Sequence, residues 1–166
     1  MPSITLPDGS VRTFNNPVSG AELANDIGPG LAKAAMAIRI NGELDDLSTI
    51  MDVDSEVAII TNKNEEEALS LIRHDTAHVL AEAVQVLFPG TQVTIGPNIE
   101  NGFYYDFARE ESFSSEDLGA IEAKMREIID LDQVFTKEVW DRAEAVRTFR
   151  EMGENYKAEI IEGLSE

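Results

Sequence analysis

Ile4-Thr5-Leu6-Pro7-Asp8-Gly9-Ser10-Val11-Arg12-Thr13-Phe14 organises the first part of the chain. Two short runs of β-branched and apolar residues flank Pro7-Asp8-Gly9-Ser10. In such a turn Pro fixes φ, Asp hydrogen-bonds the backbone two residues on, and Gly takes positive φ without steric cost. A β-hairpin is expected. Downstream, Ser19 is an N-cap for a helix from Ala21 to Ile27, and Glu22, three residues on, completes a capping box. Gly28-Pro29-Gly30 breaks that helix before a short turn around Leu31 to Ala35. Ala37-Ile38-Arg39-Ile40 and Val57-Ala58-Ile59-Ile60 are further strands, with Asn41-Gly42 as a turn after the first.

Hairpin, helix, then strands is the order of a β-grasp (ubiquitin-like) domain, here spanning residues 1–62. Gly28-Pro29-Gly30 follows a helix rather than a strand and lacks the Lys-Ser/Thr ending of a phosphate loop, so it is a structural turn. Residues 63–166 form a second, α+β unit. Glu65 to Phe88 contains no Gly or Pro, opens on three glutamates that favour the helix dipole and stops at Pro89-Gly90, which predicts one long helix. Thr91 to Ile95 and Phe103 to Phe107 are expected strands on either side of a turn-rich Gly96 to Gly102. Ser114-Ser115-Glu116-Asp117 opens a helix with Leu118, Ile121, Met125 and Ile128 at helical spacing. Gln133 to Val139 is an expected strand, and Trp140 to Met152 a helix with Ala143, Val146 and Phe149 inward, ended by Gly153. Tyr156 to Leu164 is a short, weak element.

The chain's 2 histidines, His74 and His78, lie on the long helix, four residues apart. That spacing puts both imidazoles on one face, where they can accept a proton, orient a water or ligate a cation. Leu69, Ile72, Thr76, Val79, Leu80, Ala83 and Leu87 form an apolar stripe, and the histidines fall roughly opposite its centre. The small Ser70, Ala77 and Ala81 leave room on the histidine side for a pocket or a packed partner; a plain solvent-exposed pair is the alternative. Alternation sends Phe103, Tyr105 and Phe107 to one face and Tyr104 and Asp106 to the other. Tyrosines near such a pair suit stacking a base or hydrogen-bonding a hydroxyl, with core packing as the plainer alternative.

At 166 residues and 43% hydrophobic, the chain can bury one or two cores, and no apolar run reaches the length of a membrane span. A soluble protein without a membrane partner is expected. Met1-Pro2-Ser3 leads straight into a strand pattern rather than a secretory signal, which favours the cytoplasm. With 0 cysteines there is neither a disulfide framework nor a thiolate metal site. The formal net charge of −19, from 32 acidic and 13 basic residues, repels phosphate backbones unless a local basic patch overrides it.

Taken in order, the motifs resemble the N-terminal portion of bacterial threonyl-tRNA synthetases. Ile4 to Ser10 and Asp26-Ile27-Gly28-Pro29-Gly30-Leu31-Ala32-Lys33-Ala34 are similar to that family's TGS domain. Arg73-His74-Asp75-Thr76-Ala77-His78, Ile95-Gly96-Pro97 and Asn101-Gly102-Phe103-Tyr104-Tyr105-Asp106 are similar to its editing domain. The resemblance implies a ligase that charges tRNA(Thr) with threonine using ATP and hydrolyses mischarged seryl-tRNA(Thr). His74 and His78 match the editing histidines, and Lys157 matches a lysine the family places nearby. Tyr105 and Tyr104 would contact the terminal adenosine or the seryl group.

The family completes this pocket with a later Cys-x-x-x-His element that has no counterpart here, so the resemblance implies an incomplete editing domain with little activity alone. It further implies that ATP, magnesium and a zinc ion belong to an aminoacylation core outside these residues, and that homodimerisation runs through domains likewise outside them. No cofactor or metal is expected within this stretch. Two alternatives stay open: a zinc-dependent deacylase using the histidines with carboxylates such as Asp75 or Glu82, and a non-catalytic tRNA- or protein-binding module.

Overall fold

The computed structural model describes residues 1–133 and 136–164. It divides into two compact units, Met1–Leu71 and Ile72–Glu166.

The first unit opens with β1 (Ser3–Thr5) and β2 (Val11–Thr13), antiparallel with Ile4 opposite Arg12. Their turn closes through Leu6 N–H to Ser10 O at 2.9 Å, and Gly9 adopts φ 81. Asp8 Oδ1 accepts from the Ser10 backbone N–H and hydroxyl, as the turn chemistry requires. β3 (Val18–Ser19) leads into α1 (Gly20–Ile27), whose N-cap Ser19 and Glu22 form the expected capping box. Leu31 to Ala35, expected as a turn, is instead the end of a second short helix, α2 (Pro29–Ala34), and the start of the next strand. Pro29 at the first helical position explains it: the missing N–H has no intrahelical role there and the ring presets helical φ.

β4 (Ala35–Ile40) and β5 (Glu43–Asp45) form a hairpin around Asn41 (φ 51) and Gly42 (φ 96), the two positive φ values a two-residue I′ turn demands. β6 (Ile50–Met51) pairs with β3, and β7 (Ser55–Thr61) runs between β1 and β4. The five-stranded sheet is ordered β2-β1-β7-β4-β5, with β1 and β7 parallel and the other pairs antiparallel. This is the mixed sheet of a β-grasp domain. Ile4, Val18, Leu23, Ile38, Met51 and Val57 form the core beneath α1.

α3 (Glu65–Leu87) begins as expected, on three glutamates. The first unit extends into this helix, where Ala68 is buried and Glu67 pairs with Arg39. In the second unit follow β8 (Gln92–Val93), β9 (Asn98–Ile99), β10 (Gly102–Phe103) and β11 (Phe107–Ala108). The single strand expected over Phe103 to Phe107 is thus two: β10 pairs with β9, and β11 with β8. Its middle turns from one partner to the other, with Asp106 N–H donating to Ile95 O at 3.1 Å.

α4 (Ser115–Asp130) has a capping box from Ser114 and Asp117. α5 (Arg142–Glu151) starts at N-cap Asp141, and α6 (Asn155–Glu162) follows Gly153, which takes φ 79. α5 half-buries Val146 and Phe149, but Ala143 is exposed. Of the strand expected over Gln133 to Val139, Val134 and Phe135 lie outside the described residues, and Gln133 and Thr136 to Val139 join no ladder.

The buried face of α3 is rotated from the expected stripe. Ala77, Ala81, Ala83 and Val84 are buried, while Leu69 and Ile72 are 46% and 49% exposed. Counting large apolar residues placed the stripe; close approach of neighbouring elements places the burial, and alanines permit it. On one side Leu80, Ala83, Val84 and Leu87 pack with Ile121, Met125 and Ile128 of α4, whereas Leu118 stays exposed. Among the described residues no helix is long and apolar enough to cross a membrane.

Gly20 supplies a test of the first core. A Cβ there would meet Ile38 Cγ2 at 2.7 Å and Leu47 O at 3.1 Å, and Ile38 is fully buried. Gly20→Ala is expected to lower the unfolding free energy by about 1–3 kcal/mol through overpacking. Urea denaturation measures this, and an unchanged or raised midpoint would contradict it.

Candidate active site

The two histidines of α3 meet. His74 Nε2 and His78 Nε2 are 3.1 Å apart, with the rings edge to face at a centroid distance of 4.6 Å. Two ring nitrogens at that separation share one hydrogen: one donates, the other accepts. His78 is held below the ordinary histidine pKa, first by burial and then by repulsion from His74 and Lys157, against the opposing pull of Asp75. Its neutral ring is therefore favoured near neutral pH, the state in which imidazole accepts a proton.

The pair lines a cavity of about 520 Å³ together with Asp75, Glu82, Gln85, Tyr105 and Lys157. Buried Ala81 and Val93 complete its wall. Lys157 comes from α6, where its ammonium sits 3.6 Å from Glu154 Oε2 and 5.6 Å from the centre of the Phe149 ring. Glu154 is buried, and its Oε1 accepts from Gln85 Nε2 at 2.6 Å. Tyr105 stacks on Phe107 with centroids 4.9 Å apart. Burial, and secondarily the Glu154 charge, push its phenol pKa up, so the hydroxyl keeps its proton and remains a donor. Arg73 Nη1 donates to Glu100 O at 3.0 Å, tying the β9–β10 turn to α3 one residue before His74.

Of the five residues singled out from the sequence, four converge on this cavity: His74, His78, Lys157 and Tyr105. Tyr104 does not line it and is 47% exposed, as alternation along an extended backbone would have it. Three contributors were not foreseen. Gln85 carried a signal, because positions 74, 78, 81 and 85 follow one helix face. Glu154 sat beside Lys157 without one. Gly96 makes room for Tyr105: a Cβ there would lie 2.2 Å from the ring's Cδ2. Among the described residues no group of three or more His, Cys, Asp or Glu side chains is placed to hold a metal ion.

Comparison with known proteins matches the TGS domain to residues 2–61. Along nearly its whole length the chain is similar to threonine-tRNA ligases. It is 62% identical over 164 residues to that of Granulibacter bethesdensis, 99% of this chain and 25% of the relative. It is 60% identical over 164 residues to that of Paramagnetospirillum magneticum (99% and 26%) and 59% identical over 166 residues to that of Gluconobacter oxydans (100% and 26%). Over that stretch the chain is similar to one part of these threonine-tRNA ligases. It spans about a quarter of the length of the curated relatives it matches. The TGS match coincides with the β-grasp strands, which end at Thr61.

Two predictions follow from the geometry of this site. His78 binds a proton less readily folded than unfolded. Its contribution to stability is therefore complete above the ordinary histidine value of about 6.5 and is lost as pH falls through that value toward the lower folded one. Between about pH 7.5 and about pH 5, the urea midpoint should drop more for the wild type than for His78→Gln. Equal drops would mean that His78 is not held neutral. Gly96→Ala should displace the Tyr105 ring, because its neighbour Phe107 blocks a simple retreat. Loss of ring-to-ring nuclear Overhauser contacts between Tyr105 and Phe107 is the expected signature; their retention would contradict it.

Proposed function

We propose that the second unit is a hydrolytic pocket that clears serine from mischarged seryl-tRNA(Thr), in a protein that charges tRNA(Thr) with threonine using ATP. The observation that carries this reading is the contact between His74 and His78 at 3.1 Å on the wall of a cavity that also receives Lys157.

The need for such a pocket is physical. Serine lacks one methyl group of threonine, and one methyl discriminates substrates by only about 10- to 200-fold, so a second site must remove the wrong product. The chemistry is ester hydrolysis. Water attacks the aminoacyl carbonyl, a histidine takes the water's proton as the new C–O bond forms, and the Lys157 ammonium stabilises the oxyanion. The ester C–O bond to ribose then breaks, and the proton passes to the departing ribose oxygen, leaving serine and tRNA. The Tyr105 hydroxyl, protonated and at the cavity, is a donor for the seryl group or terminal ribose.

A zinc-dependent variant is less well supported, since the histidine pair has no third ligand placed with it among the described residues. On the favoured reading ATP, magnesium and zinc serve the aminoacylation reaction elsewhere in the ligase, and the hydrolytic step uses none of them. Transfer RNA is the macromolecular partner. With a net charge of −19, most of the affinity for it comes from outside these residues.

In a threonine-tRNA ligase carrying this sequence, His74→Ala and His78→Ala are expected to slow deacylation of seryl-tRNA by about 10²-fold or more while sparing threonylation. Deacylation at the wild-type rate in both variants would sink the proposal.

A further inference from the structure

The Gln85 carboxamide is locked in one orientation, and that orientation leaves an atom over. Its Nε2 is 2.6 Å from Glu154 Oε1 and 3.3 Å from Thr91 O. Both neighbours accept hydrogen bonds, so only the NH₂ end can face them; the flipped amide would crowd three oxygens together. The amide's two N–H donors are used there, and its carbonyl oxygen is directed elsewhere. Among the described residues that Oε1 has no hydrogen-bond partner. Nor is it one of the buried orphaned side-chain atoms, which are Arg109 Nη1 and Glu154 Oε2. Gln85 lines the histidine cavity, so the cavity has an accessible, pre-oriented acceptor.

The surrounding charge says what kind of donor suits it. Asp75 and Glu82 line the cavity against the one lysine, Lys157, and the buried Glu154 stands behind Gln85. An excess of carboxylate favours a cationic donor over a neutral one. We propose that Gln85 Oε1 is a substrate-positioning acceptor of this cavity, taking a hydrogen bond from the primary ammonium group of the bound ligand. The inference rests on the editing function above: the ammonium is the α-amino group of the aminoacyl ester, held while water attacks beside the histidines. Gln85 binds substrate and moves no proton.

Two probes test this in a threonine-tRNA ligase carrying this sequence. One is 3′-deoxy-3′-(L-serylamino)adenosine, an amide that replaces the labile ester. The other is the same molecule with hydrogen in place of the α-amino group. Binding is read from the ring resonances of the two histidines. The wild type is expected to bind the amine-bearing probe at least about ten-fold more tightly, the scale of one charged hydrogen bond. Gln85→Met should bind both alike, at the weaker level. In the wild type the Gln85 ¹³Cδ resonance should move with the amine-bearing probe and stay still with its counterpart, which keeps the test valid even where the variant fails to fold. A preference retained by folded Gln85→Met, or a Gln85 resonance indifferent to the amine, overturns the proposal. Equal binding of both probes by the wild type overturns it while leaving the editing function standing. Binding of neither probe overturns both.

Discussion

A carboxylate removed from water costs several kcal/mol unless something answers its charge, and Glu154 is so removed. Its two oxygens face different elements: Oε1 takes the Gln85 amide of α3, and Oε2 faces the Lys157 ammonium one turn along α6. The same amide reaches Thr91 O just before β8. One buried anion thus gathers the helix that carries the histidines, the helix that carries the lysine and the strand whose Val93 floors the cavity. Without it Lys157 would lose its anchor, and Gln85 would be free to turn. The Oε2 atom accepts no full hydrogen bond, so the arrangement is held by charge on that side and by geometry on the other.

Local chemistry was legible in the sequence wherever it was self-sufficient. The Ser19–Glu22 capping box, the Asp8-Gly9-Ser10 turn and the Asn41-Gly42 turn each satisfy their own backbone groups within a few residues, so three or four letters define them. The histidine pair was legible for the same reason, since i and i+4 share a face in any helix. Features that depend on a distant neighbour were not. Leu69 and Ile72 are as apolar as Leu80, and only the position of α4 and the strands separates buried from exposed. The run Phe103 to Phe107 alternates like one strand, yet its two ends find different partners. Glu154 is one of 32 acidic residues, and nothing in its immediate sequence distinguishes it from those on the surface.

Charge illustrates the difference between a sum and a site. The total of −19 argues against a polyanion, yet the cavity is lined by both signs, Lys157 as well as Asp75 and Glu82. Small ligands respond to the local balance, long polymers to the whole surface. A pocket that holds the end of a nucleic acid can therefore exist on an acidic chain, provided that the polymer's phosphates are gripped elsewhere.

Glu154 and Lys157 are fixed one helical turn apart on the same short segment, while their partners belong to other elements. A helix that slips by one residue rotates its side chains by about 100°. Such a slip of α6 would swing both groups out of the cavity together, with no intermediate register in which half of the arrangement survives. The cationic side of the pocket is in this sense all-or-none: damage to the seating of α6 removes it outright while the histidine wall on α3 stands, so a population of partly disturbed molecules would be a mixture of sites with and without the lysine rather than a uniform set of weakened ones.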